Sequence, residues 1–378
     1  MEVQGAFGLK QVKTDELSVL LNRGAPKKKT YNLTLGEPRL SEFPYELLDE
    51  LKNIEQINNY YPSLGDMVLR QNIIDKYYPH LSTDNIIITH GAIGALDVIM
   101  RSILNADSEI LLPNPGFPPY EKLAELSGAK IIKYNINLYS QSSLIDWDHI
   151  LKNINDKTKI LLLNSPHNPS GKLFTLKDRD FLKQILIHYP NLMFVMDEVY
   201  RDLIYSGLDH YDLSEFIERG YIINSFSKIY PLQGARVGWV IANNENIKKM
   251  SVIYNNAYGA ISSFGQELAK LLLAKNVNYQ PRYREARESA CKILDGYGVD
   301  YIFPHGAFFV CVNYACSDLE VISELREEGI HAVAGSAFGT LSTGFIRISF
   351  AQNAEVLSEA FHIIGKHWQS NKKVRMTC

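Results

Sequence analysis

The order of apolar runs along the chain predicts an α/β fold, with a large domain on a mostly parallel central sheet and a smaller α+β domain beside it. Three observations carry this. Between about residues 82 and 242, short β-branched runs alternate with amphipathic stretches. Those runs are almost continuously apolar, as strands covered on both faces must be. Beyond residue 242 the pattern changes, first to long helical stretches and then to a compact mixture.

The elements follow in order. Asn-Ile-Ile-Ile-Thr at 85–89 reads as a strand, and 92–104 as the helix after it. Residues 109–112 give the next strand and 120–126 its helix. Further strands are expected at 130–136, 159–163, 192–196, 221–224 and 236–241, with helices between several of them, for example at 176–188. Residues 246–298 read as mostly helical, broken near 259–263 and by Pro281, since proline lacks the amide hydrogen a helix interior uses. Strands at 307–313 and 345–350 and helices at 319–328 and 354–368 form the α+β tail. The first ~40 residues, polar and marked by glycine and proline, are expected to cross between the domains. The expected division is an N-terminal arm, 1–44, contributing to the small domain, a large domain, 45–275, and a small C-terminal domain, 276–378.

A chain of 378 residues can bury one large core and a smaller companion. Apolar residues make up 46% and charged residues 21%, and a net charge of −3 offers no footprint for nucleic acid or an anionic membrane. No apolar run approaches the ~20 residues that span a bilayer, and no basic-then-apolar leader is read, so a cytoplasmic protein is expected. Cys291, Cys311, Cys316 and Cys378 are too sparse and too poorly spaced for a disulfide framework or a zinc site, and no metal is expected.

Chemistry-bearing residues collect where predicted strands end. Lys228 closes the run Ile222-Ile223-Asn224-Ser225-Phe226-Ser227-Lys228, and Arg236 follows eight residues later. An amine at a strand end suits a Schiff base better than a surface charge, and nearby hydroxyls and a guanidinium suit a phosphate. Together they point to pyridoxal 5′-phosphate (PLP), whose aldehyde forms an imine with lysine. That cofactor also needs an anion beside its pyridine nitrogen, a donor to its phenolic oxygen and a surface against its ring. Asp197 leaves a buried strand and fits the anion; a Mg²⁺ site or a plain turn is the alternative. Tyr200, three residues on, is a donor. Asn168, in Asn164-Ser165-Pro166-His167-Asn168-Pro169-Ser170-Gly171, offers an amide, or serves only the turn. Phe117, in a proline-rich loop, can stack on a ring or pack in the core. The small residues of 89–96 enter a helix whose N-terminal amides suit an anion, though packing explains them equally well. His167 lacks an orienting neighbour in the sequence and is expected to be structural.

This set resembles the class I/II aminotransferases of PLP fold type I, from about residue 36 to residue 347. The strongest likeness is Ser225-Phe226-Ser227-Lys228…Gly234-Ala235-Arg236-Val237-Gly238-Trp239, with the Asn-Pro-Ser-Gly turn, the Asp197…Tyr200 pair and the Pro-Gly-Phe loop in support. The resemblance implies an aspartate aminotransferase-like fold in which Lys228 carries PLP, Asp197 faces the pyridine nitrogen, Asn168 and Tyr200 bind the phenolic oxygen and Phe117 stacks. It implies a phosphate held by Ala92 and Ile93 through their backbone and by Ser225 and Arg236. Phe345-Ile346-Arg347-Ile348-Ser349 resembles the strand whose arginine grips the substrate carboxylate, and Asn168 would join it there. Gly36 resembles the glycine lying over the substrate. Tyr60 resembles the tyrosine that reaches the neighbouring subunit's phosphate, implying a homodimer with shared sites.

The activity implied is transfer of an amino group between an L-amino acid and a 2-keto acid. The alternative is a PLP-dependent lyase or synthase, since elimination, replacement or cyclisation can follow the same first proton loss. A PLP-sensing regulator would need a DNA-binding module, for which the chain has no basic segment. Residues 255–266, where a second arginine of aspartate-type members would fall, contain no Arg or Lys. A dicarboxylic main donor is therefore not favoured unless Arg39 substitutes, and Tyr61 and Tyr258 hint at a polar or aromatic side-chain pocket.

Overall fold

Seven strands form the central sheet: β1 (Ile86–His90), β2 (Glu109–Asn114), β3 (Lys130–Asn135), β4 (Thr158–Asn164), β5 (Met193–Asp197), β6 (Gly220–Ser225) and β7 (Val237–Ile241). Their order is β1-β7-β6-β5-β4-β2-β3. The pairings from β6 through β3 are parallel, whereas β7 is antiparallel to both of its neighbours. The computed structural model describes residues 29–34, 36–52, 54, 58–205 and 211–376, and the backbone of 2–3 and 12–13. Most of the predicted arm before residue 29, and Cys378, lie outside the described residues.

Burial explains the sequence pattern. β2, β6 and β7 are buried along their whole length, which is why they read as unbroken apolar runs. The edge strand β3 is mostly half-exposed. It carries Lys130 and Lys133, ion-paired to Glu109 at 2.7 Å and to Glu121 at 2.7 Å. Charged edges of this kind discourage pairing with another chain.

A second, antiparallel sheet has the order β8 (Tyr301–Ile302), β9 (Phe309–Asn313), β11 (Phe345–Ser349), β10 (Val333–Ala334). Helices Gln280–Gly296 and Ala354–Met376 pack on one another beside it. Tyr31–Asn32 pairs in parallel with Ile330–His331, and Ser349 donates its amide to Leu33 O at 2.9 Å. The chain near residue 31 is thus stitched to the C-terminal part of the fold.

Several expectations need adjustment. Pro281 does not break a helix; it stands in the first turn of Gln280–Gly296, where its missing amide costs nothing. The break falls at Asn276, which caps Ser263–Lys275 in the left-handed region at φ 48°. Arg236 is not in a strand: it also takes the left-handed conformation, φ 56°, just before β7. The expected strand at 307–313 begins only at Phe309, because Ala307 sits at φ 60°. The last helix runs on to Met376. Met67–Tyr77, Trp147–Asn153 and the two-residue strands lacked a readable signal. Among the described residues, no helix is long and apolar enough to cross a membrane.

Candidate active site

One edge of the central sheet gathers nearly all the predicted residues. β1, β2, β4, β5 and β6 all end there, and the antiparallel β7 begins there. Ligands of open α/β sheets bind at such an edge. A cavity at this edge is lined by Ala92, Ile93, Leu96, Phe117, Tyr120, Asn164, Asn168, Asp197, Val199, Tyr200, Ser225, Ser227, Lys228 and Arg236.

β1 delivers the helix Gly91–Ile103, whose first turn presents Ala92 and Ile93. Gly91 adopts φ +64°, and a Cβ there would stand 2.7 Å from Arg236 Nη2. The glycine therefore leaves a gap beside the guanidinium at a helix N-terminus, a ready place for an anion. Arg236 donates through Nη1 to Ser227 Oγ at 3.3 Å and to Gln233 O at 3.0 Å.

β2 leads into the loop of Phe117, whose ring meets that of Tyr120 edge-on at 5.5 Å. Gly116 N donates to Phe338 O at 2.8 Å, tying this loop to the second sheet's side of the fold. β4 ends at Asn164, which braces the floor: its Nδ2 donates to Asp197 O at 2.9 Å and its Oδ1 accepts from Asn168 N at 2.7 Å.

Asp197 is buried at the end of β5. Oδ2 accepts from the Tyr120 hydroxyl at 2.7 Å and Oδ1 from Val199 N at 3.1 Å. Burial pushes its carboxyl up to about 6, against these two hydrogen bonds and the nearby Lys228. Tyr200 is also buried, and burial holds its hydroxyl above the usual phenol range. Lys228 Nζ lies 5.6 Å from the Tyr200 ring centre and donates to Gly36 O at 3.0 Å. Burial first, and then the positive charge of Arg347, bring the amine down to about 8.

Arg347 is buried on β11, between the rings of Phe309 and Phe338, whose centres lie 4.1 and 4.8 Å from its guanidinium carbon. Nη1 donates to Asn168 Oδ1 at 2.9 Å and Nη2 to Thr34 O at 2.7 Å, while the buried Nε has no partner among the described residues. A cation so enclosed, with burial bringing it down to about 10, is set up to receive an anion. Gly36 is close to the same place: a Cβ on it would be 3.1 Å from Lys228 Nζ and 3.5 Å from the Phe309 ring.

The structure therefore brings Ala92, Ile93, Phe117, Asn168, Asp197, Tyr200, Ser225, Lys228 and Arg236 into one cavity, with Gly36 and Arg347 bonded to its wall. Tyr60 stands apart, 95% exposed on this protomer. Tyr61 bonds Glu267 and Tyr258 bonds Asp97, and neither lines the cavity. His167 does have partners, which its sequence neighbourhood did not reveal: Nδ1 lies 2.8 Å from Ser170 Oγ and Nε2 3.0 Å from Pro115 O. Burial lowers it to about 4, so it is a neutral brace between two loops. The sequence reading missed Tyr120, Asn164 and Ser227. Their signals were slight: one helical turn after Phe117, the last residue of a strand, and the hydroxyl preceding the lysine.

These groups fit PLP: an amine, a buried acid, a flat ring, hydroxyls with a guanidinium beside a glycine gap, and an unsatisfied Arg347 Nε for a second anion. Comparison with known proteins agrees. The sequence pattern of aminotransferase class I and II matches residues 28–364. A probable aspartate aminotransferase of Methanocaldococcus jannaschii is 32% identical over 352 residues, covering 88% of this chain and 92% of that protein. Aromatic-amino-acid aminotransferase 2 of Thermococcus litoralis is 28% identical over 97% of this chain and 98% of its own length. The crystal structure of an aromatic aminotransferase from Pyrococcus horikoshii superimposes with a TM-score of 0.84 at 27% identity, covering 94% of this chain and 99% of that one. The chain belongs to the class I and II aminotransferases and is a PLP-dependent enzyme that exchanges an amino group between amino acids and 2-keto acids.

Proposed function

We propose that Lys228 is the residue that carries PLP in a cytoplasmic homodimer, and that the main amino donors are monocarboxylic, with aromatic side chains among the best. The observation that carries the first part is the convergence of Lys228, Asp197, Phe117 and Arg236 on one cavity. The roles assigned are ring-nitrogen partner for Asp197, phenolic-oxygen partners for Tyr200 and Asn168, and ring surface for Phe117. Ala92, Ile93, Ser225 and Arg236 hold the phosphate, helped by Tyr60 of a second copy. Gly36, Asn168 and Arg347 receive the substrate.

PLP, when bound, supplies an electron-withdrawing ring that lets the substrate Cα release its proton. The chain does the rest. Lys228 Nζ would hold the cofactor at its aldehyde carbon and, once the substrate amine has taken its place there, would accept the Cα proton and deliver it to that cofactor carbon, across the substrate nitrogen; an amine near 8 can do both. Asp197 holds the proton on the ring nitrogen. Arg347 binds the carboxylate and so aligns the Cα–H bond, with Asn168 and Thr34 fixing the plane of its guanidinium. A lyase or synthase outcome is not favoured, since the relatives found are transaminases.

The donor preference is supported by the absence of Arg and Lys from residues 255–266 and by the apolar side chains of Ile93, Leu96, Phe117 and Val199 on the cavity wall. Arg39 is engaged elsewhere, with Glu37, Asn32 O and Gln352, each at 3.4 Å. Relatives include proteins named for tyrosine and aromatic substrates. A dimer is supported by the exposed Leu48, Met67, Val68 and Phe264, which sit on mutually packed helices. The domain division at residues 45 and 276 is supported by the two separate sheets and by the pairing of residues 31–32 with 330–331.

Borohydride reduction of the PLP-loaded protein followed by peptide mapping should place the label on Lys228, and Lys228→Ala should abolish turnover; a label on another lysine overturns the assignment. In a donor screen, phenylalanine and tyrosine should exceed aspartate in kcat/KM by about tenfold or more, the size of one lost ionic contact. A faster rate with aspartate overturns the donor reading and leaves the lysine untouched.

A further inference from the structure

Behind the strand end that carries Asp197 lies a second buried carboxylate. Glu198 is 1% exposed, and its amide donates to Ile223 O on β6 at 3.0 Å, which locks the peptide into the sheet edge. Its carboxylate accepts from the Tyr78 hydroxyl and, at 2.9 Å, from Arg201 Nη1. Arg201 lies against two rings, its guanidinium carbon 5.1 Å from the centre of Tyr77 and 4.9 Å from that of Tyr78. Asp202, the next residue, accepts from the Tyr77 hydroxyl at 2.7 Å. Neither Glu198 nor Arg201 lines the cavity.

Two consecutive carboxylates withdrawn from water oppose each other's ionisation. Burial is the main reason Asp197 titrates high, and Glu198 pushes in the same direction. A cation on Glu198 relieves this. Burial acts to lower Arg201, and Glu198, with Tyr78 and Asp202, more than reverses it, so the guanidinium stays charged. The chain thus places a positive charge one residue-layer behind the acid that the reaction needs in its charged form.

We propose that Arg201 is a positioning residue for the reaction: by pairing with buried Glu198 it lets the adjacent Asp197 keep its negative charge toward the cofactor's ring nitrogen. Arg201 itself touches neither cofactor nor substrate. The inference rests on the assignment of Asp197 to the ring nitrogen, and the test separates the two.

PLP dissociation constants are measured by titrating the cofactor-free full-length protein at pH 6. Asp197→Asn should weaken binding tenfold or more, and Arg201→Met by about fivefold, the loss of ionised Asp197 that a rise of one unit from about 6 produces at that pH. Arg201→Met with Glu198→Gln should return to within about twofold of the parent, because the carboxylate that repels Asp197 is gone. In an Asp197→Asn background, Arg201→Met should add nothing further. If Arg201→Met does not fold, Glu198→Gln alone decides: removing the repelling charge should leave PLP binding equal or tighter, and weaker binding overturns the proposal. Wild-type affinity in Arg201→Met, or no recovery in the double variant, also overturns it while sparing Asp197. Wild-type affinity in Asp197→Asn overturns both.

Discussion

Lys228 and Asp197 titrate in opposite directions from their ordinary values, and each shift has a measurable consequence. An amine must be uncharged to attack an aldehyde. The rate at which cofactor-free protein captures PLP should therefore rise about tenfold per pH unit below about 8 and level off above it. Arg347→Met removes a positive charge that helps hold the amine down, so the midpoint should move upward; a midpoint that stays put would show that the two cations do not sense each other. Asp197 has the opposite sign. Its folded-state value of about 6 lies above the ordinary 3.8, so the folded chain binds more protons between these values and stability falls as pH rises through that window. Asp197→Asn should consequently stabilise the cofactor-free protein at pH 7.5, by about 1–3 kcal/mol, and much less at pH 4, as thermal unfolding can show. Most of this chemistry was legible, because Lys228, Asp197 and Arg236 are polar residues interrupting or closing apolar runs. Tyr120 was not, since a tyrosine in the first turn of a helix looks the same whether its hydroxyl meets water or a buried acid.

The elements were legible in proportion to their burial. β2, β6 and β7 are apolar throughout and stood out; Met67–Tyr77 mixes polar and apolar residues on all sides and did not. The antiparallel direction of β7 could not be read from its residues, because strand direction leaves no mark on a strand covered on both faces. Two glycines separate what an element does for the site from what it does for the fold. Gly91→Ala would crowd Arg236 Nη2 at 2.7 Å in a left-handed backbone, so a loss of about 1–2 kcal/mol and a clear drop in PLP affinity are expected. Gly220→Ala would meet the Phe194 ring at 2.1 Å, deep in the sheet and away from the cavity. It should cost about 1–3 kcal/mol of unfolding free energy while PLP affinity of the folded protein stays as it was. Equal losses of affinity in the two variants would argue against the phosphate role of the first turn.

At the scale of the whole molecule, the division into two sheets follows from the change of pattern after residue 242. What crosses between them was harder to foresee: Gly36 O on Lys228 and Phe338 O on Gly116 accept as backbone carbonyls, which no side-chain pattern announces. The proposed partner subunit has an equally faint trace, chiefly the almost fully exposed Tyr60. Light scattering should give twice the 42.9 kDa chain mass. Tyr60→Phe should weaken PLP binding by about tenfold, the value of one charge-assisted hydrogen bond, without altering that mass. A monomer with full PLP affinity would remove the shared-site reading.

Ser225 and Gly238 face each other across the antiparallel pair of β6 and β7, so the stretch from lysine to arginine is one closed loop with both ends pinned in the sheet. Such a loop behaves as a calliper: it sets the span between the Lys228 amine and the Arg236 guanidinium, the groups proposed to grasp the two ends of the cofactor. Side chains along it can be exchanged with modest effect, but inserting or deleting a single residue between positions 229 and 233 changes the span itself, and the cofactor can then be gripped at either end but not at both.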